Sequence, residues 1–150
     1  MRILTLAIIG GLALARPAVA VAAPPAAVTV TTPWARATLP HQDIGVAYLT
    51  LQSKTGDSLS EISSPEAGMV MLHDTAQKNG MSNMVDMDHL DLPPGQTVVL
   101  SPGGTHLMLM DLKHPLKAGD TLHLALHFDN AGTQDVTVPV LDVHATGPAK

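Results

Sequence analysis

From Leu122 to Phe128 the chain reads Leu-His-Leu-Ala-Leu-His-Phe, with an apolar residue at every second position. A period of two marks an extended strand with one face turned to a core, because successive side chains of a strand point to opposite sides. Other strand-like stretches recur at 28–32, 44–53, 59–63, 69–75, 97–100, 107–112 and 136–140. Turn chemistry separates them: Ser64-Pro65-Glu66, Asn79-Gly80, Leu92-Pro93-Pro94-Gly95, Pro102-Gly103-Gly104, Lys117-Ala118-Gly119-Asp120 and Asp129-Asn130-Ala131-Gly132. No stretch carries a helical period. Many short strands with turns between them predict an all-β chain, an antiparallel β-sandwich. Pro139 has no amide hydrogen for a ladder, which places the last strand at an edge or bulge. Trp34, the one indole, is expected in the core.

The amino terminus is of another kind. Arg2, an apolar run from Ile3 to Ala15 and the small residues Ala18 to Ala23 make residues 1–22 a secretory signal peptide, with cleavage after Ala20 or Ala22. The apolar run is too short to span a bilayer. Residues 23–150 then form one domain, with a core over about 28–141 and a frayed tail at 142–150. Without Arg2 and Arg16, six Lys and Arg face 13 Asp and Glu, a net charge of −7. An acidic chain with no basic run and few aromatics argues against nucleic acid as partner. The sequence has no cysteine, which excludes disulfides, a thiolate zinc site, a blue-copper centre, an iron–sulfur cluster and a thiol nucleophile.

Beyond Met1, all seven methionines (69, 71, 81, 84, 87, 108 and 110) fall within 42 residues. A single methionine is most often a gap-filler in a core. Here the pattern argues otherwise. In Met69-Val70-Met71-Leu72-His73, Val70 and Leu72 take the core face and Met69, Met71 and His73 the other; in His106-Leu107-Met108-Leu109-Met110 the leucines again take the core face. Each of these two histidines has a methionine two residues away on its own face. His123 and His127 read as a solvated sheet face, and His41, His89, His114 and His144 as surface positions without a partner.

Asn79-Gly80 between two candidate strands is a strong hairpin signal, and it fixes a register. With those residues at the turn's centre, Lys78 opposes Met81, Thr75 opposes Met84, His73 opposes Asp86 and Leu72 opposes Met87. Met84 then shares the face of His73, diagonal to it at roughly 7–8 Å. A three-residue loop would reverse the assignment.

Imidazole and thioether side by side suit a soft ion. Thioethers bind hard cations poorly, so a mixed set selects monovalent copper. Two imidazoles and two thioethers carry no charge, which favours Cu(I) over Cu(II). Asp74 or Asp86 is a candidate to orient an imidazole from outside the ligand set.

The spacing His73, ten residues, Met84, 21 residues, His106, one residue, Met108 resembles the H-x10-M-x21-H-x-M signature of the periplasmic PCuAC-type copper chaperones. Gly45-Val46-Ala47-Tyr48-Leu49, Leu92-Pro93-Pro94-Gly95 and Leu100-Ser101-Pro102-Gly103-Gly104-Thr105 strengthen the likeness, which covers about Val28 to Val140. The resemblance implies a cupredoxin-like β-sandwich holding one Cu(I) per chain on His73, Met84, His106 and Met108. Met71 and Met110 are additional methionines on the ligand faces and candidate auxiliary ligands. It also implies a periplasmic chaperone, not an enzyme, that delivers copper to the copper A centre of cytochrome c oxidase. The partner is then the oxidase copper-centre subunit or a thiol-bearing assembly factor, and the chaperone is a monomer free of the membrane. Storage of Cu(I) for copper tolerance would use the same ligands. A copper enzyme with an amino-terminal histidine brace is disfavoured, because the expected mature terminus is Ala or Val and a four-ligand site leaves no open position. A purely structural sandwich would bind no stoichiometric copper.

Overall fold

The structure is a computed structural model that describes residues 27–78 and 80–148. The signal peptide expected at 1–22 lies outside them. Ten strands succeed one another: β1 (Val28–Arg36), β2 (Gly45–Ser53), β3 (Asp57–Ser63), β4 (Ala67–Lys78), β5 (Met81–Met87), β6 (Leu90–Leu92), β7 (Thr97–Val99), β8 (His106–Leu112), β9 (Thr121–Phe128) and β10 (Gly132–Leu141). No helix occurs among the described residues. These described residues are all-β, in a cupredoxin-like arrangement.

The strands form one path, β5-β4-β8-β2-β1-β10-β9-β3-β6, with β7 beside β2. It divides into two layers, β5-β4-β8-β2-β1 and β10-β9-β3-β6. Their seam is a short parallel pairing, Ala35 with Val140 and Arg36 with Leu141. Every other pairing is antiparallel. Leu49, Leu51, Leu107 and Leu109 from the first layer meet Leu59, Leu122, Leu124 and Leu126 from the second, all fully buried. Each such side chain contributes on the order of 1.5–3 kcal/mol, and the period-two pattern ensures that they all fall on the inner faces.

Three local features depart from the sequence reading. First, β1 does not stop at Pro33. A bulge between Thr31 and Trp34, with Thr32 at φ +46°, adds a residue and reverses the parity of the rest of the strand. Trp34 is buried, yet it pairs with Tyr48 on the face opposite Ala47 and stands outside the core cluster. Second, β10 is an interior strand. Pro139 pairs with Thr121 of β9, and pairing with β1 begins only at Val140, so proline is accommodated just before the second ladder starts. Third, Leu90–Leu92 is a strand pairing with β3, too short for periodicity to reveal.

Candidate metal centre

The β4–β5 hairpin has the register its Asn-Gly dipeptide dictates. Lys78 pairs with Met81, Thr75 with Met84, His73 with Asp86 and Leu72 with Met87. Gly80 takes φ +75°, the left-handed conformation that such a two-residue turn requires. On its other side β4 pairs with β8, placing His73 opposite His106, Met71 opposite Met108 and Met69 opposite Met110. Leu72 and Leu107, paired with each other, hold these strands to the core, so the histidine–methionine face is turned away from it.

The two imidazoles are both buried, 7% exposed for His73 and 5% for His106. Their rings meet edge to face, 76° apart with centroids 5.9 Å apart. His106 is positioned by the turn that delivers it. Ser101 donates its amide to the Thr105 carbonyl at 3.0 Å, and Gly103 takes φ +83° in the turn between them. His106 Nδ1 lies 2.8 Å from the Gly104 carbonyl oxygen, which as an acceptor requires the proton on Nδ1 and leaves the Nε2 lone pair free. The turn is tied to β4 as well: Thr75 Oγ1 donates to the same carbonyl at 3.3 Å, and Thr105 Oγ1 donates to Asp74 Oδ1 at 3.2 Å.

His73 is in a different condition. Its Nε2 lies 3.0 Å from Asp86 Oδ1 but out of hydrogen-bonding alignment, and neither ring nitrogen has a hydrogen-bond partner. An unpartnered polar atom in a buried side chain costs roughly 1–3 kcal/mol. Such atoms are rare in native structures unless a ligand satisfies them. Beside His73, Met108 and Met71 are half-buried, while Met84 is 62% exposed on the edge strand. Met110 is four residues along β8 from His106, about 13 Å of extended chain, and pairs with Met69.

An aromatic wall closes the side toward β1. Tyr48 stands 6.5 Å from the His106 ring, Trp34 4.4 Å from Tyr48, and the Arg36 guanidinium about 6 Å from both Trp34 and Tyr48. Burial raises the Tyr48 phenol above its ordinary pKa, against a smaller opposing pull from Arg36. The phenol therefore stays neutral and adds no anionic donor to the face. Sequence reading missed this wall. The bulge at Thr32 and Pro33 hides the parity of Trp34, whereas Tyr48, between core residues Ala47 and Leu49, was legible.

The remaining histidines stay apart from this face. His41, His89, His114, His123 and His144 are exposed, and His127 is half-buried with Nδ1 2.8 Å from Thr133 Oγ1. His123 Nδ1 lies 2.9 Å from Glu66 Oε1, a pairing the sequence did not suggest. Among the described residues no three His, Asp or Glu side chains gather closely enough to hold a metal ion. The donors that stand beside the two imidazoles are the thioethers of this face. Two buried imidazoles flanked by neutral thioethers suit a soft, singly charged ion.

The profile of the LpqE-like family, described as "Putative lipoprotein LpqE-like", matches residues 28–140. A relative from Leifsonia xyli, "Putative lipoprotein Lxx21020", is 42% identical over 80 residues, covering 53% of this chain and 48% of its own. The chain thus spans about half the length of that relative. The "Uncharacterized protein RP573" of Rickettsia prowazekii is 36% identical over 121 residues, 77% of this chain and 67% of that one. Among solved structures, the apo PCuAC domain of PmoF2 superposes with a TM-score of 0.70 at 23% identity, covering 81% of this chain and 95% of that one, a likeness of fold. The solution structure of CuI-DR1885 from Deinococcus radiodurans superposes at 0.60 with 32% identity and 81% coverage of each chain. With the family profile matched over nearly the whole described region, the chain belongs to the LpqE-like family and has the fold of a PCuAC domain.

Proposed function

We propose that this protein is an exported, periplasmic Cu(I) chaperone that holds one copper ion on His73, Met84, His106 and Met108. The observation that carries the reading is the pair of buried, edge-to-face imidazoles with thioethers alongside, His73 lacking any hydrogen-bond partner. The 32% identity to a structure determined as CuI-DR1885 supports it. His106 would bind through Nε2, its Nδ1 proton held by Gly104. Neutral donors leave the charge on the bound ion uncompensated, so Cu(I) is retained in preference to Cu(II). A site saturated by four protein donors has no open position for a substrate, which makes the domain a carrier and not a catalyst.

The cargo has to leave as well as bind. Met84 is exposed on the edge strand, so an acceptor's cysteine thiolates can displace its thioether first and Met108 next, while the histidines still hold the ion. Because a thiolate is a stronger ligand for Cu(I) than a thioether, transfer runs toward the acceptor. The copper A domain of cytochrome c oxidase, or a thiol-bearing assembly factor serving it, is the acceptor we propose, met by a monomeric chaperone. The accessible fourth donor favours delivery over storage.

The test is anaerobic transfer. Cu(I)-loaded protein is mixed with one equivalent of reduced, copper-free copper A domain, the two are separated by size, and copper is counted in each. Delivery predicts most of the copper on the acceptor. Copper remaining on this protein would mean storage.

A further inference from the structure

Beyond the His73/His106 rung the same face continues for two more, and those rungs are made only of methionine. Met71 pairs with Met108 and Met69 with Met110. Directly opposed residues bring their Cβ atoms within about 4.5–5.5 Å, and a step of two residues along a strand is about 6.6 Å. Met69, Met71 and Met110 therefore occupy three corners of one small patch, within the reach of their flexible side chains. Met108, already a proposed ligand with His106, fills the fourth.

These methionines do not serve the core. Met87 packs against the core cluster, whereas Met69, Met71 and Met110 do not. Met69 is 55% exposed, and Met71 and Met110 are half-buried. The row also has a built end. Asp111 takes φ +53°, which breaks the alternation of β8, and the next pair, Ala67 with Leu112, turns back into the core. The result is a thioether surface of limited extent, without charge and next to the imidazole pair.

We propose that Met69, Met71 and Met110 form a second site, for a soft monovalent cation such as Cu(I) or Ag(I). Three thioethers and no imidazole make it a weaker site than the first, filled after it. This goes beyond the single-ion carrier described above and does not depend on delivery. An ion held there would lie beside Met108 and one rung from the imidazole pair, positioned to refill the histidine site once that site is emptied.

The probe is Ag(I), which needs no reductant, added to folded protein carrying ¹³C-labelled methionine methyl groups and followed by NMR. The first equivalent should move the Met84 and Met108 signals. The second should move Met69, Met71 and Met110, while Met81 and the core-packed Met87 stay in place. A Met69→Leu variant should lose the second equivalent and keep the first, with an unchanged Met87 signal reporting an intact fold. Stationary Met69 and Met110 signals up to two equivalents, or a second equivalent still bound by the variant, would overturn the proposal. If the first equivalent moves Met69 and Met110 instead of Met84, the thioether site stands and the histidine site falls.

Discussion

Strands β8 and β5 both contribute proposed ligands, and they could hardly be placed more differently. β8 lies between β4 and β2, with His106, Leu107, Leu109 and Leu112 buried. β5 is an edge strand paired with β4 alone, exposed at every residue but Met87. The stability of the whole sandwich fixes a ligand on β8. A ligand on β5 is held by one ladder at the periphery, where local opening costs least. In the function we propose, the difference divides two demands made on a carrier: the buried rungs of β4 and β8 would give geometry and retention, and the exposed strand a way out.

The comparison breaks most visibly in stability. Leu107→Ala should cost about 2–5 kcal/mol by leaving a cavity beneath His106, whereas Val85→Ala on β5 should cost no more than about 0.5 kcal/mol. Urea unfolding of the two variants checks this, and equal losses would mean that β5 is as firmly held as β8.

A smaller effect separates fold from site. On β3, far along the sheet, the Asp57 carboxylate accepts hydrogen bonds from the amides of Ser58, Asn130 and Ala131 and from the Asn130 side chain. Desolvation pushes this carboxyl upward, but the hydrogen bonds together outweigh it and hold its pKa below the ordinary value. Asp57 therefore stabilises the fold fully above the unfolded-state pKa of about 3.9. That contribution is lost as pH falls through the lower folded-state value. Protons compete with copper for the imidazole nitrogens, whereas the Asp57 contribution is intact until pH approaches the unfolded-state carboxyl value. Acidification from about pH 7 to about 4.5 should release copper from a protein whose unfolding free energy still includes the Asp57 contribution. Asp57→Ala should cost about 1–2 kcal/mol near neutral pH with copper affinity unchanged. Copper retained in the acidified sample would argue against histidine ligands.

The most selective variant is Met84→Leu. It should raise the rate of copper loss at least about tenfold, the low end of what removing even an outer-shell partner costs a metal site. Chemical stability should stay as it was, because the side chain is exposed. Stopped-flow transfer to a chelator reads the rate, and an unchanged rate would remove Met84 from the site.

Much of this was legible because a strand's period is short and strict. Alternation in Leu122–Phe128 and in the two methionine segments assigned faces, and Asn79-Gly80 fixed which residue of β5 stands opposite each residue of β4. The pairing of His73 with His106 was not legible, because strands 33 residues apart in sequence carry no register of their own. Trp34 is buried as the sequence led us to expect, but its face was not legible, because a one-residue bulge reverses parity and nothing local in Thr-Thr-Pro-Trp announces it. Asp86, a candidate orienting group from the sequence, does stand close to His73, but its approach is not that of a hydrogen bond.

The central claim is the identity of the donors around one Cu(I), and X-ray absorption at the copper K-edge reads it directly. Protein loaded anaerobically with one equivalent should give the edge of monovalent copper, with a shell of two nitrogen and two sulfur scatterers. His106→Ala/Met108→Ala should lose one of each, or lose the copper. A shell of nitrogen and oxygen alone, or one that the double variant leaves intact, would contradict the account.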